Sequence, residues 1–249
     1  MDKALYVAMT GASASLQAQT TVSHNLANAN TPGFKEALAN TEAFPITGQG
    51  YASRIDALHV DAGFNRRIGA QQITGRALDV SLQPGDWLAV QATDGSEAYT
   101  RAGALTLTPN GQLVTAEGNP VLDDAGNPIS VPPHQAMEIG HDGTLSIIPQ
   151  GEGPQTMAMI GRLRIVQAPN EQLERRLDGL MRNTNPQQPF AQAQGKALDS
   201  GVLEGSNVDT AGALVQMIQL QRQFEMQVKV IKNGDENARS ANSLLRLNG

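Results

Sequence analysis

Two long stretches at opposite ends of the chain carry the period of an α-helix, and any fold must accommodate both. The first thirty residues contain no proline and one glycine, Gly11. Their apolar positions recur at Leu5, Met9, Ala12, Leu16 and, after polar Gln19 and Ser23, Leu26, a helical seam with heptad character. A helix over about Lys3 to Ala29 would be about 40 Å long at roughly 1.5 Å per residue. Its other faces are Ser, Thr, Gln and Ala rather than Glu and Lys, which points to enclosure by other helices, with an ordinary amphipathic helix on a globular core as the alternative. The second pattern follows Asp209 or Thr210 as N-cap. Its seam runs Met217, Leu220, Phe224, Ile231, Ala238, Ala241 and Leu245, flanked by Leu214, Ile218 and Val228. Gly234 falls on that seam, at a cost of about 1 kcal/mol relative to Ala, and marks either a close helix approach or a kink.

Between the helices the pattern changes twice. From Glu36 to Gln72 short apolar groups are interrupted by Pro45, Gly48, Gly50, Gly63 and Gly69, so an extended connector is expected, with disorder in isolation open to it. From Arg76 to about Asn183 short strands alternate with turns. Leu78–Val80–Leu82, Trp87 to Gln91, Leu105–Leu107, Gln112 to Ala116, Pro120 to Leu122, Thr144 to Ile148, Met157 to Ile160 and Leu163 to Gln167 read as strands, with Asn170 to Arg176 ambiguous between helix and strand. Such a series suits a small sandwich or a partly open barrel. With nine aromatics against 25 Gly and 13 Pro, its core must be aliphatic. A second linker rich in Asn, Pro and Gln follows, from Asn183 to Gly201. The expected class is α+β: terminal helices paired as a coiled-coil-like domain (1–30 and 206–249), extended connectors (31–75 and 184–205) and a central all-β domain (76–183).

Two helices alone make a marginal unit, because one interface covers part of each apolar surface. The remaining partners must come from other chains, and identical subunits joined head to tail would generate a tube or filament.

The chain offers little to chemistry. Its net charge is −6 and the acidic excess lies in the middle, so the basic stripe that a duplex-binding protein needs is missing and nucleic acid is not expected as a partner. There is no cysteine, which excludes disulfides and thiolate metal sites. A thiol-free chain can pass from a reducing to an oxidising space without mispairing, although many cytosolic proteins also lack Cys. No run approaches 18 apolar residues, so no membrane span is expected. Met1 to Thr10 lacks a basic region before an apolar run, so any export leaves the N-terminus intact. The histidines His24, His59, His134 and His141 are scattered, Asp123 and Asp124 fit a hairpin turn better than a calcium loop, and neither a nucleophile elbow nor a phosphate cradle is present. No catalytic, cofactor-binding or metal-binding residue is expected.

The first helix ends in Asn25, Asn28 and Asn30, followed by Thr31, Pro32, Gly33, Phe34 and Lys35. As structure this is a stop and a sharp exit; as function, the amides could also bond a neighbouring chain. The run Asn25 to Lys35 resembles the N-terminal signature of flagellar rod and hook proteins. Ser206-Asn207-Val208-Asp209, Leu214 to Ile218 and Gln221 to Glu225 resemble the matching C-terminal signature. Within that family Met1-Asp2 with Tyr6 and Ala8 to Ala12, Phe224 to Lys229 and the compact length look like the proximal rod member rather than the distal one. Thr74-Gly75-Arg76, Leu78 to Val80, Trp87 to Gln91 and Tyr99 to Gly103 extend the likeness, while Gln83-Pro84-Gly85-Asp86 departs from the expected Gly-Asp-Gly turn.

The resemblance implies a structural subunit of the basal-body rod that packs with copies of itself and with other rod subunits around an export channel. It implies export by the flagellar type III apparatus without a cleaved signal, a place in the periplasmic rod, and no cofactor. The competing readings are a distal rod or other axial protein, a secreted ligand-binding β-domain, and an enzyme of unknown type.

Overall fold

The computed structural model describes residues 2–45, 55–151, 156–176 and 178–247. The chain divides into two compact units: residues 1–29, 36–65 and 208–249 form a helical unit, and 30–35 with 66–207 form a β-rich unit.

In the helical unit α1 spans Asp2–Ala27 and α2 spans Thr210–Leu247. Asp209 is the N-cap of α2: its Oδ1 accepts the Ala211 N–H at 3.1 Å, filling one of the donors left open at a helix start. The two helices pack against each other. A methyl group on Gly234 would lie 2.8 Å from Leu5 Cδ2 and one on Gly11 would lie 3.0 Å from Gln227 Nε2, so the register runs antiparallel. α2 is unbroken through Gly234, and close approach is therefore the reason for that glycine.

The first connector departs from expectation. Ala37–Pro45 (β1) and Ile55–Phe64 (β2) form an antiparallel ribbon, with a register shift between Ala37 and Ala39, and both strands pack on α1. Hydrophobic alternation is weak in β1 because small Ala37 and Ala39 take the less exposed face while bulky Leu38 and Phe44 are exposed. Gly48 and Gly50 lie outside the described residues.

The β-rich unit continues with Gln71–Ile73 (β3), Val80–Leu82 (β4), Asp86–Gln91 (β5), Glu97–Thr100 (β6), Leu105–Leu107 (β7) and Leu113–Thr115 (β8). His134–Ile139 (β9), Thr144–Pro149 (β10), Ala158–Arg162 (β11), Ile165–Gln167 (β12), Leu173–Arg175 (β13) and Met181–Asn183 (β14) follow. Ala191–Gln192 (β15), Leu198–Ser200 (β16) and Val202–Glu204 (β17) end it. Six strands make one sheet in the order β13-β14-β6-β5-β12-β15, three make β11-β10-β9, and β7-β8, β16-β4 and β17-β3 are pairs. Asn170–Gln172 is a short 3₁₀ turn leading into β13, so the ambiguous stretch holds both conformations. The core cluster is aliphatic, built on Leu82, Leu88, Leu105, Leu113, Leu145, Leu163, Ile165 and Leu198.

The second connector also needs correction. Residues 184–205 are part of this unit: β16 pairs with β4, β17 pairs with β3, and Phe190, Ala193, Ala197 and Leu198 are buried. Short strands with polar neighbours read as linker because their pairing partners lie more than a hundred residues upstream.

Candidate assembly site

Each helix shows apolar surface beyond the face it uses within the chain. On α1 the buried positions are mostly small: Ala8, Gly11, Ala12, Ala14, Ser15, Ala18 and Val22, with Asn25 in the last turn. Of the expected seam, Ala12 lies on the buried face, while its large residues stand at the edge of that face or outside it. Leu5 and Leu26 are half-buried, but Met9 is 58% exposed and Leu16 53% exposed, with Tyr6 exposed beside them. Small residues let helix axes approach closely, and the bulky ones turn outward. On α2, Met217, Leu220, Phe224 and Ile231 are half-buried and Ala213 is buried, while Leu214, Val215, Ile218, Met226 and Val230 are exposed. Leu16 and Met217 border one open hollow of the helical unit. The side chain of Leu245 lies outside the described residues.

The signature turn is used inside the chain. Asn25, buried in the last turn of α1, donates from Nδ2 to the Ala37 carbonyl at 2.8 Å and accepts the Ala37 N–H at 2.9 Å, so one side chain substitutes for a strand partner where the ribbon starts. Asn28 donates to the His24 carbonyl, and Asn30 is exposed. Thr31 and Phe34 close a turn through the Phe34 N–H and the Thr31 carbonyl. Gly33 has φ +72°, and a Cβ there would lie 2.3 Å from the Arg101 carbonyl carbon and oxygen, so only glycine fits. Phe34 is buried with the Arg175 guanidinium 4.4 Å from its ring centroid.

Lys35 ends the turn in a buried ion cluster of the β-rich unit that sequence reasoning missed. Its Nζ donates to Glu204 Oε1 at 2.6 Å, and Arg101 donates through Nε to Glu204 Oε2 at 2.8 Å and through Nη2 to the same oxygen. The remaining Arg101 donors go to the carbonyls of Leu82, Gln83 and Asp86, which clamps the Gln83–Asp86 turn. That turn, where the sequence departs from its family pattern, closes through Asp86 N–H to Gln83 C=O with Gly85 at φ +85°.

Burial by itself would raise the Glu204 carboxyl, but hydrogen bonds and charge from Arg101 and then Lys35 outweigh it and hold the group below its ordinary range. Burial lowers the Lys35 ammonium more than Glu204 raises it, and the Arg101 charge adds to the lowering. Lys35, Arg101 and Glu204 each stand in a signature run or beside one, which was the only available signal; 169 residues separate Lys35 from Glu204.

An open hollow of the β-rich unit, about 700 Å³, is lined by Asp94, Glu97, Tyr99, Arg176, Asp178 and Arg182. Its charges are paired, Arg182 with Asp178 at 2.9 Å and Arg164 with Glu97 at 2.9 Å. Burial pushes the Tyr99 hydroxyl up from its ordinary value, with the Glu97 charge adding to it. Asp123 Oδ1 accepts the N–H groups of Ala125 and Asn127, a tight turn. Among the described residues no group of three or more His, Asp or Glu could hold a metal, and no helix is long and apolar enough to cross a membrane.

Three family descriptions match in chain order: Flagella basal body rod protein over residues 5–35, Flagellar hook protein FlgE/F/G D1 domain over 83–147, and Flagellar basal body rod FlgEFG protein C-terminal over 199–244. Together they define the class, flagellar rod and hook proteins. The chain is 43% identical to the flagellar basal-body rod protein FlgF of Escherichia coli K12 over 99% of this chain and 100% of that one, and equally to FlgF of Salmonella typhimurium. It is 32% identical to FlgG of Bacillus subtilis over 95% and 96% of the two chains. The chain belongs to the family of the flagellar basal-body rod protein FlgF.

Proposed function

We propose that this protein is a structural subunit of the proximal part of the flagellar basal-body rod, and that copies of it and other rod subunits join through the helical unit into a tube that transmits torque and surrounds the export channel. The observation that supports this most is the second apolar face of each helix. Met9 and Leu16 on α1 and Leu214, Val215 and Ile218 on α2 remain exposed after the helices have paired, although monomeric proteins rarely leave large apolar patches uncovered. The subunit packing set is Leu5, Met9, Leu16, Leu26, Met217, Leu220, Phe224, Ile231 and Leu245, to which the exposed residues of α2 are added. The protein acts by packing rather than by chemistry, and its path is export by the flagellar type III apparatus to the periplasmic rod.

Glu substitutions at Leu16 and Ile218 test the proposal. The purified double variant should keep the helicity and thermal midpoint of the wild type, while cells carrying it should be non-motile and their basal bodies should lack the subunit. Normal motility with both charges in place would remove the helical faces from the assembly. A density map of the intact basal body would separate the proximal position from the distal one.

A further inference from the structure

The chain passes in and out of the β-rich unit through three stretches: residues 30–35, the run that starts at Arg66 and the run that ends at Asn207. These stretches are distant in sequence and bonded to one another. The Gly33 N–H donates to the Glu204 carbonyl at 2.7 Å, the Gly205 N–H to the Ala70 carbonyl at 2.8 Å, and the Asn207 N–H to the Phe34 carbonyl at 3.3 Å. The Asn207 side-chain amide donates to the Arg67 carbonyl at 2.8 Å, and so does Lys35 Nζ.

The Glu204 carboxylate, 1% exposed, sits where they meet. It takes Lys35 from the first stretch, the Gly69 N–H at 3.1 Å from the second, and Arg101 from the body of the unit. We propose that Glu204 is a clasp that holds the three crossing stretches to each other as one body, separately from the apolar core that stabilises the rest of the unit.

Charge supplies the reason. Without the carboxylate, two buried cations would be left together with no carboxyl beside Lys35 and only Asp86 near Arg101, a costly arrangement, and the Gly69 N–H would lose its acceptor. The stretches would then part. None of residues 30–35, 66–70 or 202–207 belongs to the aliphatic core cluster, so parting them leaves that cluster intact and the loss stays local.

Hydrogen exchange on the full-length chain, compared between wild type, Glu204→Gln and Glu204→Ala, tests the clasp. Gln keeps the shape and drops the charge. The amides of Gly33, Gly69, Gly205 and Asn207 should exchange at least ~10-fold faster in Glu204→Gln, the scale of a lost charge-assisted bond, and faster still in Glu204→Ala. The amides of Ala89, Leu113 and Val121 should remain slower than those four in both variants, because their opening still requires the core cluster to unfold. Unchanged exchange at the four crossing amides would overturn the proposal, and so would exchange of all seven amides at one common opening free energy in the wild type and the variants, which would make Glu204 an ordinary contributor to global stability. Should neither variant fold, wild-type exchange in rising denaturant decides: the crossing amides should open together below global unfolding, and opening only with the core would sink the clasp.

Discussion

Gly33→Ala tests the close approach at the signature turn, because two costs combine there that can be separated elsewhere in the same unit. An L-residue held at positive φ costs about 1–2 kcal/mol, and Gly33 has φ +72°. Gly118, with φ +87° and nothing within 4 Å of a Cβ, would bear that cost alone. At Gly33 the added carbon would also lie 2.3 Å from Arg101 C and O and 2.4 Å from Ala102 N, backbone atoms that cannot swing aside. Relieving this contact means parting the two segments by about 1 Å and weakening the 2.7 Å bond from the Gly33 N–H to the Glu204 carbonyl, worth about 1 kcal/mol net.

The expected losses are therefore about 3 kcal/mol or more for Gly33→Ala and about 1 kcal/mol for Gly118→Ala. The entropy that alanine removes from the unfolded chain is common to both and cancels in the difference. Trp87 is the single tryptophan and is buried in the β-rich unit with the Arg101 guanidinium 5.8 Å from its ring, so its fluorescence in urea reports this unit. Equal destabilisation by the two substitutions, within about 0.5 kcal/mol, would refute the claim that contact with the Arg101 backbone selects glycine at position 33.

Acid should weaken the β-rich unit through Glu204: a carboxyl held below its ordinary value contributes fully above the unfolded value of 4.5 and loses that contribution as pH falls toward the folded value. The part of the acid transition, followed by Trp87 between pH 6 and 3, that is missing in Glu204→Gln measures it, and identical pH profiles would contradict it. Asn25→Ala should cost about 1–3 kcal/mol by removing both bonds to Ala37, with faster exchange of the Ala37 amide as the readout. Gly234→Ala should be near neutral in circular dichroism melts, since a helix-propensity gain of about 1 kcal/mol offsets displacement of the flexible Leu5 terminus 2.8 Å away, whereas Gly234→Leu should separate the helices. Glu at Leu16 or Ile218 should change monomer stability by no more than about 0.5 kcal/mol while abolishing incorporation into basal bodies.

What could be read in the chain itself was what depends on near neighbours. Helical period is set by residues three and four apart, so both terminal helices were legible, α1 to within two residues at each end and the start of α2 to a choice of Asp209 or Thr210 as N-cap. Turn chemistry is equally local, as at Asp123 to Asn127, and the scarcity of aromatics was enough to require an aliphatic core. Only the tertiary structure decided the rest. The expected seam of α1 ran through Leu5, Met9, Ala12, Leu16 and Leu26; Ala12 is buried, but Met9 and Leu16 are exposed and small Ala8, Ser15 and Ala18 are buried in their stead, because the approach of a second helix and a ribbon is a property of three segments together. β16 takes its strand character from β4, more than a hundred residues upstream, and the ribbon of β1 and β2 takes it from their pairing and from packing on α1, so period within the strand carried too little of it. Lys35, Arg101 and Glu204 read as three unrelated charges along the chain. Burial and a shared set of oxygens turned them into one cluster, and both arise only when residues more than a hundred positions apart are brought into contact.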